Sequence, residues 1–447
     1  MREPRLMQTT LYTRYLLVLL VALSVFNFMD RWAFGLVLQN IKTDLRLTDT
    51  QLGCLTGIAF ALFYSLMGIP IARWADRGNR VVIISLTGAL GSVAVALCGT
   101  AGSFVQLMLI RMGVGIGEAG GFIPSFSLLA DYFNRAERPK ALAIYALGAP
   151  LSMIVGYSLA GWLNELYGWR VMFILLGLPG LVLALVASFT LREPRRKQPP
   201  GGPTSSGLQG AVTAALRPSL KDVWSALFSN ATYRHLLIFT SILFFFAYGI
   251  LQWQPTFFVR SFGFSSSQVG RWFAIAYGVG GLGTYLGGAL ASRYAPQDEC
   301  LQLKAVSVLM IGSALLTAGI YLSPNHYVAL GLMALGVVGL SAVNGPVYAT
   351  LQTLVPEPMR AVSVAVMLLF ANLIGMGLGP LAVGVLSDAL RPWVGQESLR
   401  YSLLALAPGY VWAAWHAWRA SKTVSRDLAT SPTGVGAKRC APCTEAS

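Results

Sequence analysis

Five charged side chains stand inside apolar stretches of this 447-residue chain: Asp30, Arg31, Arg111, Glu118 and Arg271. A charge at mid-membrane depth costs about 2.5–3.5 kcal/mol on insertion scales, so it should face a cavity or a partner. Arg111 and Glu118 are seven residues apart, two helical turns, and share one helix face. About 10 Å separates them along the axis, too far for a tight pair on their own helix. Another helix, water or a ligand must stand between them. Asp30 and Glu118 have the chemistry of proton-carrying sites. Burial and a neighbouring arginine act on a carboxyl in opposite senses and can leave it titrating near working pH. The alternative is a static buried network of Asp30, Arg31, Arg111 and Glu118. The planar fork of Arg111 suits a carboxylate or phosphate on a substrate, and equally suits neutralising Asp30 or Glu118. Arg31 points about 100° away from Asp30 on a helix, so its partner belongs to another span. Arg271 falls in the first turn of its span, where it can snorkel to the interface.

The second half carries no acidic group at comparable depth. It offers Phe244-Phe245-Phe246, Tyr248, Gln252, Trp253 and Gln254 on one segment, and Asn344 and Asn372 on two others. An apolar, aromatic wall with a few amides suits a ligand with a greasy portion. Helix packing uses the same residues, so Tyr248, Trp253, Asn344 and Asn372 are substrate-binding candidates beside that plainer role. His416 titrates in the physiological range and is a possible proton relay. His235 and His326 lie at segment ends and say little.

These residues need a membrane to position them. Hydrophobic residues make up 55% of the chain and charged residues 11%; a soluble domain carries about 25% charge. The net charge of +15 might suggest nucleic acid, but a soluble basic binder would not be this apolar. Twelve stretches are long enough to span, at about 20 apolar residues each. Short alternating segments of the β-barrel kind are absent. Most of the 33 Lys and Arg residues fall on the side that carries both chain ends, which places N- and C-termini in the cytoplasm. The expected fold is all-α: twelve transmembrane helices in two pseudo-symmetric six-helix bundles. The bundles are residues 1–191 and 234–420. Between them lies a cytoplasmic linker, 192–233, with a short amphipathic helix at its end; residues 421–447 read as a disordered tail. The halves echo each other. Gly148-Ala149-Pro150 with Gly156 in span five returns as Gly379-Pro380 with Gly384 in span eleven, as a duplicated unit would give.

The chain resembles the major facilitator superfamily over nearly its whole length. The resemblance rests on the twelve spans, the central loop and four short motifs. These are Asn27-Phe-Met-Asp30-Arg31; Ala72-Arg-Trp-Ala-Asp76-Arg77-Gly-Asn-Arg80; Arg111-Met-Gly-Val-Gly-Ile-Gly-Glu118; and Asn372-Leu-Ile-Gly-Met-Gly-Leu-Gly-Pro380. Within the superfamily they are most similar to the Spinster-like lysolipid transporters. The second motif departs from the usual order, with Asp-Arg-Gly-Asn-Arg in place of Asp-Arg-x-Gly-Arg. The resemblance implies a cytoplasmic gate at Asp76, with Arg77 or Arg80 pairing with Asp131. It also implies a lysolipid or sphingoid-type substrate, its anionic head on Arg111.

No Walker A sequence, metal-ligand set or nucleophile–base pair is present, so the chain is not expected to be an enzyme. It should need no cofactor beyond protons as the coupling ion. The reading is a proton-coupled secondary transporter working by alternating access, monomeric, in the plasma membrane, with a compact chain that suits a bacterial inner membrane. Its alternatives are a transporter of a small organic anion or drug, and a non-transporting membrane sensor or structural protein.

Overall fold

A computed structural model describes residues 10–194, 224, 227–356 and 359–430. The described residues are helical, without strands. The first half holds α1 (Thr10–Leu36), α2 (Leu38–Leu45), α3 (Asp49–Thr56), α4 (Ile58–Arg77) and α5 (Arg80–Cys98). It continues with α6 (Phe104–Ala119), α7 (Phe122–Tyr132), α8 (Arg138–Ala146) and α9 (Gly148–Thr190). The second half holds α10 (Ala231–Phe262), α11 (Ser266–Tyr294), α12 (Glu299–Leu322), α13 (His326–Ala342) and α14 (Asn344–Leu354). After α15 (Arg360–Phe370) and a π-helical segment, Ala371–Met376, come α16 (Gly377–Val394), α17 (Ser398–Leu404) and α18 (Ala407–Thr430).

Among the described residues, ten continuous helical stretches are long and apolar enough to cross a membrane. Two of them, Arg138–Thr190 and Val362–Ala429, are too long for one pass. Each turns back on a glycine in the left-handed region, Gly168 at φ 77° and Gly395 at φ 58°. Only glycine takes that backbone readily. With those two reversals the described residues hold twelve stretches of spanning length, the number the sequence predicts.

Proline sets the internal breaks, and it does so in matching places. A proline withdraws one N–H and crowds the carbonyl four residues earlier. Pro124 and Pro346 stand four residues beyond Gly120 and Ala342, where α6 gives way to α7 and α13 to α14. Pro150 and Pro380 stand four beyond Ala146 and Met376, where α8 ends and the π-helical segment ends. These are spans four and ten, five and eleven. The duplicated unit legible as a glycine–proline echo is thus a duplicated pattern of helix breaks.

The chain divides into two compact units, Met1–Pro200 with Gln252–Gly278, and Gly201–Leu251 with Val279–Ser447. In the first, α1 packs along α9, and α5 packs along both α6 and α9. In the second, α12 packs along α18 and α13. The last helix runs to Thr430, past residue 420 where the sequence suggests a disordered tail begins. Asp427 explains the extension. It is buried, and its carboxylate accepts from the backbone N–H and hydroxyl of Thr232, both at 2.8 Å. Most of the expected amphipathic linker helix and the tail beyond residue 430 lie outside the described residues.

Candidate functional site

The site is built where α1 crosses α6. Arg111, Gly115 and Glu118 follow one another at spacings of four and three, so they form one stripe on α6. Gly115 lets α4 close on that stripe: a Cβ there would lie 2.7 Å from the Phe60 carbonyl oxygen. Gly117 does the same for α5, since a Cβ there would fall on the Gly91 backbone. The glycines of span four are therefore what lets three helices meet around the charges.

Into this junction α1 inserts Asp30 and Arg31. Arg31 donates from Nε to Glu118 Oε2 at 2.7 Å, with Nη2 at 2.5 Å from the same oxygen. Arg111 donates from Nη1 to Asp30 Oδ2 at 2.8 Å, and its Nε reaches the Leu55 carbonyl at 3.4 Å. The 10 Å gap between Arg111 and Glu118 is filled by another helix. Its two adjacent, divergent side chains supply one partner to each. All four residues are under 10% exposed, and the cluster is formally neutral. Phe60 lies against both cations, its ring centroid 4.6 Å from the Arg31 guanidinium carbon and 5.1 Å from that of Arg111. Tyr64 and Phe34 add faces at 4.7 and 4.4 Å. Sequence reasoning did not single out this aromatic packing; the signal was the aromatic spacing of Phe60 and Tyr64 along α4.

Asp30 and Glu118 are also neighbours, within hydrogen-bonding reach of each other. Oδ1 of Asp30 and Oε1 of Glu118 have no protein donor. A buried acceptor without a donor is a place for a proton or a water. Chemically, then, the cluster holds two cations fixed by two carboxylates, each with one oxygen open to protonation.

The gate residues divide. Arg80 is fully buried and pairs with Asp131 at 2.7 Å and with Glu193 at 2.5 Å. Its Nη1 also donates to Ser127, to the carbonyl at 2.8 Å and the hydroxyl at 3.0 Å. Of the two arginines open to pair with Asp131, the buried one does so. Arg77 and Asp76 are exposed. Glu193 was read only as the start of a polar linker. Its carboxylate instead caps the N-terminus of α5, accepting from the Arg80 backbone N–H at 2.7 Å, where the helix dipole favours an anion. Tyr132 binds the Arg192 carbonyl at 2.6 Å, and Tyr12 accepts from the Arg192 N–H at 3.0 Å. This anchors the chain as it leaves span six.

At the opposite end of the first unit, Lys42 and Arg260 come together. Both converge on Asp49, in the first turn of α3 and 1% exposed. Arg260 makes two bonds to it, at 2.7 and 2.8 Å, and Lys42 one at 2.5 Å.

Among the second-half candidates, Trp253 is fully buried and Tyr248 half-buried. Asn344 is exposed at the start of α14. Asn372 is half-buried within the π-helical segment. Tyr348, not picked out from sequence, lies near Tyr248. His416 has a partner the sequence dismissed: its Nδ1 is 3.1 Å from Nδ1 of His235. Two imidazole nitrogens at that distance need a single proton between them. Arg271 is removed from the four-charge cluster; it is near Glu165 in the first unit.

The Major Facilitator Superfamily profile matches residues 20–380. An MFS-type efflux pump of Mycolicibacterium smegmatis is 30% identical over 417 residues, 92% of each chain. A putative metabolite transport protein of Haemophilus influenzae is 29% identical over 85% of this chain and 90% of that one. A bacterial homologue of the human lysosomal transporter Spinster, inward-facing and unoccupied, superposes with a TM-score of 0.84. It shares 30% identity and covers 94% of this chain and 99% of its own. An occupied, inward-facing structure gives 0.80 at 29% identity, with the same coverage. The chain therefore belongs to the Major Facilitator Superfamily, as a multi-pass membrane transporter, not an enzyme, and it is most like the Spinster type.

Proposed function

We propose that this chain is a proton-coupled secondary transporter that moves an amphiphilic, anionic, lipid-like substrate by alternating access. One observation carries the reading: each buried arginine is held by one carboxylate that also keeps an oxygen open to a proton. A proton on Asp30 weakens its hold on Arg111. The guanidinium, which cannot lose its own proton, is then left to bind a substrate anion. Glu118 and Arg31 form a second such switch. Protonation and anion binding support each other, so acid favours the loaded state. On this reading the head group goes to Arg111 and Arg31. Tyr248, Asn344 and Asn372 are candidate contacts. Trp253 is part of the wall, since its burial leaves it no free face.

The basic loops support an orientation with both termini in the cytoplasm. The bacterial relatives support a bacterial inner membrane. A second reading, transport of a small organic anion or drug, is favoured by the efflux pump of Mycolicibacterium smegmatis.

The test is flux into proteoliposomes under an imposed pH gradient, with a labelled lysophospholipid of anionic head group and, in parallel, a short dicarboxylate. Lysophospholipid flux that collapses with the gradient, and that the dicarboxylate does not compete away, supports the lipid reading. Gradient-driven dicarboxylate flux without lysophospholipid flux establishes the second.

A further inference from the structure

Two pockets lie inside the first bundle, and Asn27 lines both. The first runs between α1, α5, α7 and α8, and its polar lining is Ser24, Asn27, Ser125 and Tyr145. The Tyr145 hydroxyl faces the hydroxyls of Ser125 and Ser24. The second continues from Asn27 to Ser92, Asp30 and Glu118. Together they form a polar lane that ends at the open oxygens, Asp30 Oδ1 and Glu118 Oε1. Leu20, at the far end of the lane, is ten residues before Asp30 on α1, about 15 Å along the axis.

The lane has a mouth and a floor. Phe122 lines the first pocket and is 43% exposed, so this one side chain stands between the lane and the bundle surface. Below it, Leu16, Leu17, Leu128, Leu129 and Tyr132 pack into a dry cluster. That cluster closes the bundle towards its basic end. The first pocket has room for about one water and the second barely for one, and a water there has polar partners in Ser24, Asn27, Ser125 and Tyr145 or in Ser92, Asp30 and Glu118. Hydroxyls and water relay a proton by rotating donors, and the Asn27 amide holds water in line by hydrogen bonds, with no large movement of the protein.

We propose that this lane is a proton path within the first bundle, running from the surface at Phe122 through Asn27 to the Asp30–Glu118 pair. It rests on the proton-coupled reading and adds a route separate from binding of the substrate by the arginines. Asn27 is the junction. Its Nδ2 donates to the Glu118 carbonyl at 3.3 Å, and a Cβ at Gly121 would press on that nitrogen at 2.7 Å. The charged and titratable groups facing the end of the path are Arg31 of α1, Arg111 of α6 and Cys98 of α5. None of them interrupts it.

The test is infrared spectroscopy of the full chain in lipid on transfer from H2O to D2O, at a pH low enough that the two carboxyls carry a proton. It follows the carboxyl bands of Asp30 and Glu118, assigned with Asp30→Asn and Glu118→Gln. Asn27→Leu keeps the volume and removes the relay; it should slow deuterium exchange of those bands by about tenfold or more. Ser125→Val should slow it by about threefold. Both variants should keep the wild-type thermal unfolding profile. Wild-type exchange in either folded variant overturns the path. Failure of the coupling reading shows elsewhere, as pH-driven flux that survives Glu118→Gln, and leaves this exchange measurement interpretable.

Discussion

Arg31 and Asp30 are adjacent in sequence, yet they serve opposite ends of the α6 stripe, Arg31 on Glu118 and Asp30 on Arg111. One turn of α1 thus ties together two groups that lie about 10 Å apart along α6. A proton or an anion that breaks one pair is felt by the other through the same peptide unit.

The Arg111–Asp30 pair is buried, so its members are expected to matter unequally alone and together. Arg111→Ala leaves Asp30 charged and without its partner, at a cost of about 3–5 kcal/mol. Arg111→Ala with Asp30→Asn should recover most of that loss, because no buried charge is stranded. Thermal unfolding of the two variants in detergent checks it. Equal destabilisation would show that the pairing is not what Arg111 contributes.

The Arg80 cluster makes a different distinction. Glu193 is 4% exposed and Asp131 39% exposed at the side chain. Glu193→Gln should cost about 1–3 kcal/mol, the range for disturbing a buried charged hydrogen bond. Asp131→Asn should cost less than about 1 kcal/mol, as exposed ion pairs do. Limited proteolysis should cut near residues 192–194 sooner in the first variant. Equal sensitivity in both would contradict an anchoring role for Glu193.

Span four supplies a packing test. A Cβ at Gly117 meets the Gly91 backbone, whereas at Gly113 it meets only the Ala94 Cβ, at 3.6 Å. Gly117→Ala should therefore lose about 1–3 kcal/mol to overpacking, and Gly113→Ala should be neutral or slightly stabilising. The comparison is read in unfolding temperature.

If protonation of Asp30 frees Arg111, anion affinity should rise as pH falls, and Asp30→Asn should weaken that pH dependence, leaving the part that Glu118 and Arg31 contribute. Equilibrium binding of an anionic lysophospholipid across a pH series reads this. An unchanged pH dependence in Asp30→Asn would remove Asp30 from the switch.

Much of this arrangement is legible in the sequence because a membrane makes charge expensive. Four of the five charges within apolar segments mark the site without any geometry, Arg271 being the exception, and seven-residue spacing puts Arg111 and Glu118 on one face. The partners were not legible, because pairing depends on how α1 is placed beside α6, and spacing along one helix says nothing of its neighbour in space. Glu193, Asp49 and His235 were missed for a related reason. Each stands at a segment end, where composition reads as loop and only packing shows burial. The proline breaks were partly visible. Pro150 and Pro380 stand in the repeated glycine–proline pattern, while the matching Pro124 and Pro346 emerge from the structure.

The central claim is that Glu118 and Asp30 carry the coupling proton. It is tested most directly by proton movement in proteoliposomes holding an internal pH dye, with substrate added under a set pH gradient. Wild type should show substrate-dependent proton flux. Glu118→Gln, which can keep a hydrogen bond to Arg31, should lose that flux by about 100-fold while remaining folded. Proton flux in folded Glu118→Gln at the wild-type rate would contradict the account.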